Sequence, residues 1–329
     1  MLIALLGDVM LGRLVNQRLR RAPAGDVWGD TMSVLGRADL TIANLECVLA
    51  DGGEPAPGKV FHFRSDPKNV ESLRAAGIGM VSLANNHVLD YGTEAFREML
   101  PVLDAAGILH AGAGLDGDAA RRPAVRRVAG TAVGLIAFTD NQPDWEADRG
   151  PGVYYVPVED PDRRVAELLD LVRRTKARVQ FLAVSAHWGP NWGAGAPGEH
   201  RSLARALVEA GADVVYGHSP HIFRGIELFR GRPIIYSAGD FVDDYAVDPV
   251  ERNDQSFVFL LETDGAAPRS LQLYPTLIAD FQVRLAGRTS RQAVDRMQRL
   301  SRHLGTASAW NADGGYLAVP LSPAAETGT

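Results

Sequence analysis

Five short polar clusters follow five apolar runs in this chain. Gly7-Asp8 comes after Leu2 to Leu6, Asn44-Leu45-Glu46 ends the run from Leu40, and Asn85-Asn86-His87 follows Ile78 to Ala84. Ala186-His187-Trp188 closes the run from Val179, and Gly217-His218-Ser219-Pro220-His221 follows Val214 to Tyr216. Carboxylates, an amide and imidazoles at successive strand ends can converge on one cluster of nitrogen and oxygen ligands. Such a mixed shell suits borderline divalent ions such as Mn, Fe or Zn. Asp8, the Asn pair or either histidine alone would read as an ordinary turn or cap residue. The set together reads as one site.

Positioning such a cluster requires strands whose ends meet. Apolar runs alternate with amphipathic stretches at 11–21, 66–76, 93–106, 161–175 and 198–210, an α/β pattern with several helices ending at glycine. Beyond Pro220 consecutive strands follow, at 223–229, 233–237, 257–262, 271–275 and 281–285, which read as a second sheet or an antiparallel extension. A helix is predicted over 290–304 with Ser290 as N-cap, and the tail from Pro320 to Thr329 reads as disordered. Gly/Pro-rich segments at 51–58, 112–117 and 189–198 read as loops over one domain.

The 329 residues, 46% hydrophobic and 22% charged, are those of a soluble globular protein. A net charge of -6 and the absence of a basic block argue against nucleic acid. Arg163-Arg164 and Arg173-Arg174 read as solvated faces of one helix. The single cysteine, Cys47, excludes an intramolecular disulfide and reads as a small buried hydrophobe. No signal-like start and no apolar run of membrane-spanning length is present, so the expectation is a soluble, cytoplasmic chain. The closely spaced glycines of Gly7 to Gly12 do not match a dinucleotide fingerprint.

These motifs, with Asp90-Tyr91-Gly92 and Ser237-Ala238-Gly239-Asp240-Phe241 added, resemble the ordered series of CapA-type proteins. That family is associated with poly-γ-glutamate capsule synthesis and lies within the calcineurin-like metallophosphoesterase superfamily. The match runs from Asp8 to about Asp244. The resemblance implies a four-layer α/β/β/α sandwich of two packed mixed sheets, with a domain over 1–288 followed by a C-terminal helix and tail over 289–329. It also implies one or two divalent metal ions. Asp8, Glu46 and His221 would hold the first; Glu46, Asn86, His187 and His218 would hold the second, with Glu46 as bridge. A water between two cations loses a proton near neutral pH and becomes a nucleophile. His87, one residue past Asn86, suits a general acid, and Asp90 could fix its tautomer.

Two features depart from the wider superfamily. Met10 stands where a histidine ligand is usual, and Glu46 stands where an aspartate is usual; CapA-like sequences share both. The first metal is left with fewer protein ligands, so one-metal occupancy stays open. Around the centre, Arg13 reads either as an anion clamp or as a solvated helix residue. Trp188 and Trp192 read as pocket wall or core, and Asn44, Asp140 and Asn141 as candidates facing the substrate. Asp240 is a candidate support for a metal-binding histidine. The expected activity is hydrolysis of a phosphoester or a γ-glutamyl-type amide in a small or peptide-like anionic substrate. The alternative is a non-catalytic metal-binding accessory protein that holds an acidic peptide or poly-γ-glutamate-like polymer. CapA-like capsule proteins are generally membrane-anchored, whereas this chain begins directly at the fold, which sets a membrane capsule role in question.

Overall fold

The computed structural model describes residues 1–158 and 163–321, with backbone alone for residues 288 and 289. The start of the helix expected from residue 161 and residues 322–329 of the tail expected to be disordered from Pro320 lie outside the described residues, whereas Pro320 itself ends a strand. Among the described residues, most strands form a ten-stranded and a six-stranded sheet. In the larger sheet Leu2–Val9 runs parallel to Leu40–Leu45, which runs parallel to Ile78–Ser82 and then to Leu109–Ala111. On its other side Leu2–Val9 pairs antiparallel with Gln255–Thr263, and at its C-terminal end it pairs parallel with Asp240–Val242. The smaller sheet centres on Thr131–Thr139, Phe181–His187 and Val214–His218, all parallel.

The first strand shows why the sequence is apolar throughout these runs. Ile3 and Leu5 face a core shared with Leu135, Ala183 and Val214 of the smaller sheet, whereas Ala4 and Leu6 face an outer core with Leu73, Phe96 and Leu103 of helices Val70–Ala75 and Gly92–Ala105. A strand buried on both faces has no polar alternation to show. The smaller sheet repeats the arrangement: Ile136, Leu182 and Val215 pack against Leu168 and Val172 of Arg163–Lys176 and Leu203 and Leu207 of Gly198–Ala210. The result is the four-layer α/β/β/α sandwich.

The strands after Pro220 divide between the two sheets instead of forming one new unit. Ile226–Phe229 and Arg232–Ile235 make a hairpin on the smaller sheet. Gln255–Thr263, Pro268–Ala279 and Gln282–Leu285 extend the larger one. Arg291–His303 is helical as expected, although Ser290 makes no side-chain capping bond. A hairpin that the sequence pattern does not announce, Ala309–Asn311 with Tyr316–Pro320, then pairs with Pro268–Ala279. No helix among the described residues is long and apolar enough to cross a membrane.

Two backbone features pull the sheets' ends together. Gly7 lets Leu2–Val9 approach the turn before Asp240 so closely that an added Cβ would lie 1.8 Å from the Gly239 carbonyl oxygen. Asp8 N–H donates to that same oxygen at 3.0 Å. Ser219, a non-glycine residue at φ +98°, turns the chain from His218 towards His221. Such backbone is held only where its surroundings enforce it. Gly7→Ala is therefore expected to destabilise the protein by roughly 1–3 kcal/mol, as overpacking does. Unchanged thermal melting of this variant would contradict the close approach.

Candidate functional site

Register delivers the polar residues to one level. Asp8 lies opposite Asn44 on one side and Asp240 on the other, and Asn44 lies opposite Ser82. In the smaller sheet His187 lies opposite both His218 and Thr139. Because these strands are parallel, the loops that follow them emerge at one edge of the sandwich. Glu46, Asn86, His87 and His221 come from those loops.

Asp8 is the centre of the cluster. Its Oδ1 accepts from Asn44 Nδ2 at 2.7 Å, its Oδ2 accepts from Ser219 N–H at 3.4 Å, and His218 Nδ1 lies 3.7 Å from Oδ1. His187 Nδ1 faces His218 Nδ1 at 2.8 Å, and His187 Nε2 faces Asn86 Oδ1 at 2.9 Å. Ser185 Oγ lies 2.6 Å from His218 Nε2, and Asp240 Oδ1 lies 2.9 Å from His221 Nδ1. Asp8, His187 and His218 each offer a ligand atom within 4.8 Å of the others, and so do Asp8, His221 and Asp240. Asp8 is the member common to both groups. Glu46 comes nearer the His87 side, with Oε1 3.8 Å from His87 Nε2 and Oε2 3.4 Å from Asn44 Nδ2.

The electrostatics of the cluster fit a cation. Burial, then the neighbouring Asp8 and Asp240 carboxyls, pushes Glu46 well above the ordinary carboxylate range. Burial and then Asp8 do the same to Asp240, and burial and then Asp240 to Asp243; Asp8 is also raised by burial. Asp8 with Glu46, and Asp240 with Asp243, meet side chain to side chain. Paired buried carboxylates repel unless a proton or a cation lies between them. Burial meanwhile pushes His218 down to about 3 and His187 well below its usual value, so both rings are neutral and suited to ligation. Carboxyl groups short of positive charge beside neutral imidazoles make a donor set that suits a divalent ion.

His87 stands at the cluster's outer side. Its Nδ1 is 2.6 Å from Asp90 Oδ2, which also accepts from Phe63 N–H at 2.7 Å. Phe63 stacks on the imidazole at 4.0 Å between centroids. Lys59 pairs with Asp90 Oδ1 at 2.6 Å, donates to the Asn86 carbonyl, and sits 4.6 Å from the centroid of Trp145. A cavity of about 340 Å³ opens in front of His87 and His221.

Residues 2–245 match the family described as bacterial capsule synthesis protein PGA_cap. The chain belongs to this capsule synthesis family. It is 35% identical over 350 residues to a probable polyglutamine synthesis accessory protein of Mycobacterium tuberculosis, covering 91% of this chain and 90% of that one. It is 28% identical to the PGA biosynthesis protein CapA of Bacillus subtilis, covering 72% of this chain and 62% of that one. Among solved structures it is similar in fold to a hypothetical protein from Thermus thermophilus, with a TM-score of 0.52 and 18% identity over 84% of this chain and 98% of that one.

In this PGA_cap family chain, several residues read from sequence take other places. Trp188 is fully buried, stacks on His200 at 4.9 Å and donates to the Tyr236 carbonyl, so it is core and not pocket wall. Asn44 is buried behind Asp8, accepting from Asn85 Nδ2 at 3.0 Å, and does not face the cavity. Asp140 accepts from Gly189 N–H at 2.9 Å, and Asn141 donates to Ser219 Oγ at 3.3 Å, so both brace the loops that carry the histidines. Arg13 and Trp192 line the cavity. Cys47 is buried, its thiol pushed up to about 12 by burial. Lys59, Phe61, Phe63 and Tyr245 were not singled out by sequence. Their one signal is position: the first three lie just after the Gly/Pro-rich loop, and Tyr245 follows the Asp240 motif.

Glu46 and Asp240 favour their protonated forms in the folded chain. The stability they contribute is complete below the ordinary carboxylate range, near pH 4, and is lost as pH rises through the raised values. A bound cation would take the protons' place. Added manganese is therefore expected to raise the melting temperature of metal-free protein more at about pH 8 than at about pH 5. A metal-induced shift of equal size at both ends would contradict this electrostatic account.

Proposed function

We propose that this chain is a metal-dependent hydrolase of a phosphoester or a γ-glutamyl-type amide in an anionic substrate. The observation that carries the reading is the His87–Asp90 pair, set beside a carboxylate–imidazole cluster with its Nε2 turned towards Glu46. Asp8, His187 and His218 would hold one cation and Asp8, His221 and Asp240 a second, with Glu46 and Asn86 completing the surroundings. Divalent ions of the Mn, Fe or Zn class would supply charge neutralisation and an acidified water.

The chain's own residues supply the proton chemistry. Asp90 engages Nδ1 of His87, which leaves Nε2 to give a proton to a leaving group. Burial pushes His87 down to about 4, while Asp90 opposes that shift, so the resting ring is neutral. An anion arriving beside it favours the imidazolium, so proton uptake accompanies substrate binding. Asn44 and the Ser219 N–H fix the orientation of Asp8, and Asp240 fixes that of His221.

The names of the relatives, a synthesis accessory protein and a biosynthesis protein, favour a second reading: metal-dependent holding of an acidic polymer without turnover. His87 separates the two. In metal-loaded protein assayed on aryl phosphoesters and γ-glutamyl anilides, His87→Gln is expected to lose about 10²- to 10⁴-fold in kcat while keeping its metal content and melting temperature. Wild-type protein that carries metal yet hydrolyses neither class, even at long incubation, would sink the hydrolase and favour the accessory role.

A further inference from the structure

The cavity in front of the two outer histidines is walled by rings. Phe63, stacked on His87, lies 5.6 Å from Tyr245. Tyr245 meets His221 edge-on at 4.9 Å, and Trp192 meets His221 edge-on at 5.9 Å. Phe61 also lines the cavity. The guanidinium of Arg13 lies 5.7 Å from the centroids of both Phe61 and Phe63. Phe63, Tyr245, His221 and Trp192 thus form a connected collar, with Phe61 joined to it through Arg13.

Three observations say what the collar suits. Phe61 is 57% exposed and Trp192 43%, so two large rings from different loops stand wet on the wall of a polar site. Exposed apolar groups gathered around a cavity mark a surface that a ligand covers. Among the described residues Arg13 is the one lysine or arginine in the lining, and Asp244 already shares its charge at 3.2 Å. Finally, Arg13 holds a left-handed backbone, φ +49°, while Asp244 also accepts from Leu14 N–H at 3.0 Å. Strain of this kind is kept where a side chain has to be aimed.

We propose that the collar is a recognition subsite for a planar aromatic or heteroaromatic group, joined to the anion that the metal centre holds. The ring lies against Phe61 and Trp192, and Arg13 meets negative charge on the same substrate. This proposal rests on the reading of Asp8, His187, His218 and their neighbours as a centre for anionic substrates. It narrows that class to ring-bearing esters or amides.

Phosphonates test the proposal without turnover. Manganese-loaded protein is titrated calorimetrically with phenylphosphonate and with methylphosphonate, which share an anion and differ in the ring. Phenylphosphonate is expected to bind about tenfold tighter, the increment of one or two aromatic contacts. Trp192→Ala is expected to shrink the preference to less than about threefold, and Trp192→Phe to keep most of it. Equal binding of the two ligands by wild-type protein would overturn this proposal alone. So would a phenyl preference that survives both Trp192→Ala and Phe61→Ala. Failure of both ligands to bind would overturn the anion-centre reading and this proposal together.

Discussion

A buried carboxylate with no lysine or arginine partner among the described residues sets the terms for this structure. Asp8 sits where the two sheets meet, fully enclosed, with Glu46 and Asp240 close by. An isolated buried charge costs several kcal/mol even after relaxation. The chain answers with oriented dipoles: the Asn44 amide from the neighbouring strand and the Ser219 N–H from a strained turn. These hold the carboxyl in place without neutralising it. The remaining charge requires protons or a divalent ion, and the neutral imidazoles of His187 and His218 make the ion the better answer near neutral pH.

The fold serves that requirement. Parallel strands from two sheets end at one level, so residues far apart in sequence meet without long loops. Gly7 removes the Cβ that would keep the first strand away from the Gly239 turn, and this brings Asp8 beside Asp240. Outside the cluster the environment changes from carboxylate to aromatic. Phe63 covers one face of His87 and Tyr245 abuts His221, which limits water at the two histidines that face the cavity. Reduced water strengthens the electrostatic interactions made there.

Much of this was legible in sequence because the cluster lies at the ends of doubly buried strands. An apolar run that stops at Asp, His or Asn marks both the strand and the level of its last residue, as at Asp8, His187 and His218. The pairing of His87 with Asp90 was legible for a different reason: three residues in a tight turn bring the two side chains together. What escaped depends on side-chain direction beyond a strand end, which periodicity does not encode. Trp188 follows His187 directly yet turns inward to stack on His200, whereas Trp192, four residues on, faces the cavity. Lys59 and Phe63 come from the segment just after a Gly/Pro-rich loop, and both are held by tertiary contacts with Asp90. The hairpin over 309–320 was missed because its strands are short and only one of them is well buried.

The central claim is that the Asp8 cluster is a divalent cation site, and metal content tests it most directly. Protein purified without a histidine tag or chelator, then reconstituted with Mn, Fe or Zn and desalted, is measured by elemental mass spectrometry alongside a His187→Ala, His218→Ala double variant. One or two ions per wild-type chain are expected, with a clear loss of metal in the variant. Wild-type protein that retains none of the three metals, or a folded variant that retains as much as wild type, would contradict the claim.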